Sequence, residues 1–482
     1  MTTKTDFNSW SSWQDWLKWL IPLLLSIWVF DNKSYLALFF LSGIFYFFLE
    51  HDLSVSLFFT LLLSIPFERV LRSWVFEVVV PRPEIWQSGY SFIFGFPLKF
   101  IISSTILLLI FSDNKINKDK YLSKNISWLL VGFFIFAMIS TLQAVRLELA
   151  ITGLIRLWLG IWLFFISKHF FSQLNKKTIY KYLISTLLLF GIIGFFQYIN
   201  QQPLGINMED ISNKFTFGFL TTDGEPIYRI SGFMGHPTYF GSFISLLIPV
   251  ALGFFLKEIK NNKKLTVSML ISGGAFFLGL ISIIGTFSRS AWLSLLFIFA
   301  AFFMKVKKQI SFTKTIKFSK ALIYLLIATT IFLFASNSLI LIRANSIKYV
   351  WSLGTGTGRL ELIKHAIAMI KKQPIIGVGL NHFTEAMVYQ GVVEKYRGFI
   401  YPVHNTFLLF LSETGIPAGL FFIGFLIYLL ILSWKKAKKN LVNFGIWIGV
   451  VTFLINAQFH TLFNQDPTFD MLMIMCGYLS IL

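Results

Sequence analysis

Long apolar stretches separated by short polar segments recur along almost the whole chain, near 18–30, 35–49, 53–66, 98–112, 127–144, 149–168, 180–199, 239–257, 267–285, 290–304, 321–341, 405–434, 442–460 and 468–482. The runs are continuously apolar and lack the alternate-residue polarity of barrel strands, so they read as helices solvated by lipid. The first three are short for a hydrocarbon core of about 30 Å. The pattern predicts an all-α polytopic membrane protein with about 12–14 transmembrane helices. It also predicts three parts: a transmembrane bundle over 1–341, a large outward loop over 342–404, and C-terminal transmembrane helices over 405–482. Within the loop, the apolar and polar spacing predicts an amphipathic helix from Arg359 to Lys372, stopped by Pro374. Leu360, Ile363, Ile367 and Ile370 are the apolar face that this spacing suggests.

Charge gives the orientation. Short basic loops near 115–124, 168–181, 257–264, 305–320 and 435–439 fall on every second connection, which places them, and by parity both termini, on the cytoplasmic side. Each of these loops is basic through Lys alone, whereas the Arg residues at 69, 72, 82, 146, 156, 229, 289, 343, 359 and 397 belong to the outward segments or to a span that starts there. The positive-inside rule explains the Lys but not an outward gathering of Arg. A guanidinium is a planar fork suited to phosphate and stays charged when dehydrated, so the segregation points to an anionic, phosphate-bearing ligand at the outer face.

Composition agrees and excludes other classes. Of 482 residues 56% are hydrophobic and only 13% charged, too apolar for a soluble globule, so the net charge of +20 reflects loops and anionic lipid and not nucleic acid. The lone Cys476 excludes a disulfide framework or a thiolate metal site. The polar start over 1–15, followed by no small-residue cleavage site, speaks against a cleavable signal peptide.

Candidate chemistry lies at the outer ends of spans. Arg289 occupies a very short turn between two apolar runs, where an arginine is costly unless paired or functional; a snorkelling anchor is the competing explanation. Arg229 stands just ahead of the span near 239, and Arg359 opens the loop helix after the Gly/Thr-rich 354–358. His404, with Asn405 beside it, is placed where the chain re-enters the membrane, and imidazole can take a proton from a hydroxyl near neutral pH. No zinc signature, acidic metal cage or serine-hydrolase elbow is present, so no metal or other cofactor is expected. The outward Glu209, Asp210, Asp223 and Glu225 are scattered.

Four segments, RISGFMGHPTYFG, GTFSRSAW, TGRLELIKHAIAMIKKQPIIGVGLNHF and HNTFLLFLSETGIPAG, occur in an order and topology that resembles the bacterial O-antigen ligase and polymerase superfamily. The resemblance covers roughly 200–434, with His236 where Asn is usual and Ile363 where Trp is common. It implies a multi-pass glycosyltransferase of the bacterial inner membrane, with its site on the periplasmic face. Such an enzyme takes a glycan from a polyprenyl-diphosphate carrier to a saccharide, lipid-linked or protein hydroxyl. It further implies that Arg289 and Arg359 grip the diphosphate, that Arg229 and Asn405 help bind substrate, and that His404 deprotonates or orients the acceptor. Lipid A core ligation, chain polymerisation and protein glycosylation all remain compatible. A bicarbonate-type transporter is the competing class, but it should place ionisable groups near the midplane, where only Arg156, His460 and Asp470 are candidates. A non-catalytic scaffold would not need outward arginines with a histidine.

Overall fold

Backbone groups in a bilayer have no water to bond, so an apolar run closes its own hydrogen bonds as a helix. A computed structural model of the chain describes residues 13–31, 43–44, 46–47, 52–65, 102–106, 124–205, 219–220, 226–262, 265–307, 359–389, 402–462 and 466–482. In chain order its helices are α1 (Gln14–Asp31), α2 (Leu53–Ser64), α3 (Lys124–Ser140), α4 (Leu147–Gln173), α5 (Lys176–Asn200), α6 (Pro237–Asn261) and α7 (Val267–Gly285). There follow α8 (Arg289–Lys307), α9 (Arg359–Lys372), α10 (Phe383–Tyr389), α11 (Thr406–Ala437), α12 (Leu441–Ala457) and α13 (Asp466–Ser480). Among the described residues, α3 to α8 and α11 are the seven helices long and apolar enough to cross a membrane, and α2 and α12 are shorter apolar helices. The chain is an all-α polytopic membrane protein. Strand structure among the described residues is one antiparallel pair, Phe219–Leu220 with Pro226–Ile227. The expected span at 321–341, most of those at 35–49 and 98–112, the segment 67–97 and the turn at 354–358 lie outside the described residues. So do Arg69, Arg72, Arg82, Arg343, Arg397 and the four scattered carboxylates.

Polar residues at the predicted breaks start the helices. The side chains of Asn175, Thr266, Asn405 and Asn440 each accept a first-turn backbone N–H of α5, α7, α11 and α12. Helix α6 is the hub, packed by α5, α7, α8 and α12. Its contact with α12 is backbone to backbone: a Cβ at Gly445 or Gly449 would strike the carbonyl of Pro249 or Leu246. Small residues permit such approach where lipid offers no hydrophobic drive for association. Thr452 Oγ1 donates to Ser245 O at 2.9 Å and Ser294 Oγ to Thr452 O at 3.3 Å, so α6, α8 and α12 are tied together.

The segment 359–389 is wedged onto α11, which is not one continuous helix. Gly415 interrupts it at φ 83°, ψ 167°, with Pro417 beyond. The break frees two carbonyls and an N–H that the loop then satisfies: Val378 N–H donates to Ser412 O at 2.9 Å, Gly379 N–H to Glu413 O at 3.0 Å, and Ile416 N–H to Pro374 O at 2.8 Å. Glu413 Oε1 accepts the Phe383 N–H at 3.0 Å. On the other side Asn381 Nδ2 donates to Leu149 O at 2.9 Å, and Arg146 N–H donates to His382 Nε2 at 3.0 Å.

The loop helix has the predicted bounds but a different buried face. Leu362, Ala366 and Met369 are buried with Phe383, Met387, Val403 and Leu409, whereas Leu360 and Ile367 are 48% and 41% exposed. The expected stripe was therefore about a third of a turn out of register, because the small Ala366 and flexible Met369 fit closer to α11 than branched Ile does.

Gly415→Ala is expected to lower the thermal midpoint and open 373–389 to protease, at a cost of about 2 kcal/mol or more. The left-handed backbone disfavours any Cβ, and this one would meet the Ile375 carbonyl. An unchanged midpoint and cleavage pattern would remove the break as the dock of the loop.

Candidate functional site

The segment 228–236 is a strap across the end of the bundle at which α7 stops and α8 begins. Gln197 Oε1 accepts the N–H groups of Ser231 and Gly232 at 3.3 and 3.0 Å, and Ile230 N–H donates to Gly285 O at 3.2 Å. Arg229 Nε donates to Thr286 O at 2.9 Å, so its guanidinium lies over the α7–α8 turn that delivers Arg289. That turn is strained: Phe287, buried to 1% exposure, sits at φ 49°, a left-handed value costly for an aromatic residue. Thr286 Oγ1 accepts the Ser288 N–H at 3.2 Å, and α8 then starts at Arg289, whose Nη1 is buried without a hydrogen-bond partner.

Arg359 comes from the opposite direction. It begins α9, and the packing of α9 on Val403 and Leu409 brings it to the re-entry point that carries His404. His404 Nδ1 lies 3.0 Å from Pro402 O; with the proton on Nδ1, the Nε2 lone pair is left as the acceptor. Asn405 caps α11, accepting from Phe407 and Leu408 N–H at 3.0 Å each, and its Nδ2 donates to Gln458 Oε1 at 3.2 Å. It therefore fixes His404 in place and ties it to the end of α12.

Two histidines that the sequence reading did not place in the site join it. Thr406 Oγ1 donates to His460 O and accepts the Leu462 N–H at 2.9 Å, holding the turn after α12 so that the His460 ring centre is 6.2 Å from that of His404. His236 caps α6 through Thr238 N–H at 3.1 Å and lies 4.6 Å from the ring of Tyr239. His236 stands inside one of the four family-like segments, and His460, expected near the midplane, lies instead in the turn after α12 beside His404.

Electrostatics shows that these groups share one field. Burial first, and then the Arg359 guanidinium, hold the His404 imidazole down to about 4, against an opposing effect of the Pro402 carbonyl. His460 is held well below its ordinary value by burial and then by His404, Arg359, His236 and Arg229. Arg359 is lowered by burial and next by Arg289. All five expected residues, Arg229, Arg289, Arg359, His404 and Asn405, are thus brought to one end of the bundle, with His236 and His460. Like charges concentrated in a partly dehydrated place disfavour one another, a cost that a bound anion would relieve. Among the described residues no group of three or more His, Cys, Asp or Glu forms a metal-binding cluster.

A protein family described as O-antigen ligase matches residues 274–423, a stretch that includes Arg289, Arg359, His404 and Asn405. The ComP-specific O-oligosaccharyltransferase of Acinetobacter baylyi (strain ATCC 33305 / BD413 / ADP1) is 27% identical over 294 residues, 60% of this chain. The match spans 49% of that relative, so the chain covers about half the length of the curated protein it resembles. The matched stretch runs from α7 through the docked loop into α11, and over it the chain is similar to the O-antigen ligase family.

Proposed function

We propose that the chain is a glycosyltransferase that moves a glycan from a polyprenyl-diphosphate carrier to an acceptor hydroxyl at the outer, periplasmic face of the bacterial inner membrane. The observation that carries this reading is the convergence of Arg229, Arg289 and Arg359 with His404 and His460, from five separate segments, at one end of the bundle. Arg289 and Arg359 hold the diphosphate, Arg229 supports them from the strap, and Asn405 positions His404. The acceptor oxygen attacks the anomeric carbon, and the bond from that carbon to the phosphate oxygen breaks with its electron pair leaving on the diphosphate. The hydroxyl proton passes to His404 Nε2 and then to solvent. A single displacement of this kind inverts the anomeric centre. Two guanidiniums supply the charge stabilisation for which other glycosyltransferases recruit a divalent ion, so the transfer is assigned no metal.

The acceptor is a saccharide hydroxyl, such as that of lipid A core, with polymerisation of lipid-linked repeats as the related alternative. A protein hydroxyl is the second reading, favoured by the name of the Acinetobacter relative. Purified protein in lipid nanodiscs, given a lipid-linked oligosaccharide with core saccharide or with a hydroxyl-bearing protein, should release polyprenyl diphosphate and glycosylate one acceptor, with or without chelator. Transfer abolished by chelator and restored by a divalent ion would remove the metal-independent part. Bicarbonate uptake without any glycan transfer would replace the reading with a transporter.

A further inference from the structure

Arg289 is not the only group at the start of α8 that lacks an acceptor. Trp292, one turn along, also has its indole Nε1 buried without a hydrogen-bond partner. Residues three apart on a helix are surface neighbours, and helical side chains lean toward the N-terminus, so Trp292 covers the turn from which Arg289 projects. Ring geometry agrees: the indole is 6.3 Å from Phe287, the strained residue that ends the turn before α8. Part of the ring packs on the hydrophobic core, which fixes its position while leaving the N–H unmet. A buried Trp N–H ordinarily finds a partner, and leaving it without one is costly. Here two N–H groups on side chains three residues apart, one cationic and one neutral, are unmet at the N-terminal end of a 19-residue helix, where anions are favoured. The missing partner is an acceptor-rich anion.

We propose that Trp292 is a further binding residue of this site, donating its indole N–H to a phosphoryl oxygen of the same anionic group that Arg289 holds. The inference rests on the donor reading above, in which that group is the carrier diphosphate. The indole N–H carries no charge and does not titrate, so it adds directional recognition of an oxygen to the Coulomb attraction of the arginines. It also restricts where the leaving oxygen can lie relative to α8.

Trp292→Phe keeps an aromatic ring in place and deletes the donor. With sugar-free polyprenyl diphosphate as the probe, in nanodiscs of zwitterionic phosphatidylcholine, binding should weaken about 10-fold or more, the usual scale for a hydrogen bond to a charged acceptor. The ligand-free thermal midpoint should stay the same or rise, because an unmet buried donor has been removed. A midpoint that falls along with binding identifies an internal structural bond and overturns the proposal, as does unchanged diphosphate affinity. Phosphatidylglycerol separates the two sources of phosphate: if it displaces the diphosphate from the parent protein as well as unlabelled diphosphate does, the N–H serves a lipid headgroup and the assignment fails. A parent protein that binds no polyprenyl diphosphate overturns the donor reading as well, whereas tight parent binding with an indifferent Trp292→Phe overturns this inference alone.

Discussion

His404→Ala is expected to leave the protein inserted and the lipid-linked donor bound, while transfer falls about 100-fold or more, the usual contribution of one positioned base. His404 is held on the last residues before α11, with Pro402 O 3.0 Å from Nδ1 and Nε2 left as the basic atom. Its protonation is opposed by burial and by Arg359, to about 4 in the ligand-free protein. The acid limb of kcat/KM, which reports the free enzyme, should therefore fall near pH 4 and not across the ordinary imidazole range. A bound diphosphate offsets Arg359 and removes the second of the two lowering causes. The limb of kcat, which reports the complex, should accordingly lie at higher pH than that of kcat/KM. The sign for stability follows from the same shift. A histidine lowered on folding favours the folded state fully above its unfolded value of about 6.5, and that contribution is lost as pH falls toward 4. A folding control at each pH separates this loss from the catalytic limb. Equal donor affinity with collapsed transfer marks His404 as the base; undiminished transfer by the alanine variant, or kcat and kcat/KM limbs that coincide near 6.5, overturns that role.

Much of this arrangement was legible in the sequence because lipid imposes one rule on every spanning segment. A run without charge must be a helix, and α7 and α9 have the bounds that hydropathy and Pro374 predict. The break in α11 carried a signal in Gly415 followed by Pro417, but hydropathy averages over both, and 405–434 reads as one apolar run. The buried face of α9 was not legible because its sequence offers two apolar stripes, and only the docking partner on α11 selects Leu362, Ala366 and Met369. Segregation of Arg from Lys grouped Arg229, Arg289 and Arg359 without naming their neighbours. His236 and His460 reach the site through a helix cap and a hydroxyl tether, local geometries that depend on how α6, α11 and α12 meet. Trp292 closes the segment GTFSRSAW, but an indole on an apolar helix suggests no role until its N–H is found without a partner.

Arg289→Lys and Arg359→Lys are each expected to lose most transfer although the charge is kept. Pairwise attraction alone does not forecast this, because an ammonium at the same place supplies the same unit charge. Geometry does. The two residues approach from different elements, Arg289 from the strained turn before α8 and Arg359 from the loop helix docked on α11, so in the proposed reaction the diphosphate would lie between two forks, each able to direct a hydrogen bond. Lysine replaces a fork with a mobile point charge that keeps its water more tightly, and the leaving oxygen loses a donor aligned with its developing charge. The fall should appear mainly in kcat, about 10- to 1000-fold for one preorganised donor, with a smaller change in donor affinity. Arg146→Lys is the comparison: that arginine is outward too, but its guanidinium is engaged 2.8 Å from Glu148 beside the docked loop, so transfer should stay near the parent level. If all three variants fall alike, the losses report general damage to the outer surface. If Arg289→Lys or Arg359→Lys retains full turnover, that arginine is an interfacial anchor and the diphosphate is held elsewhere.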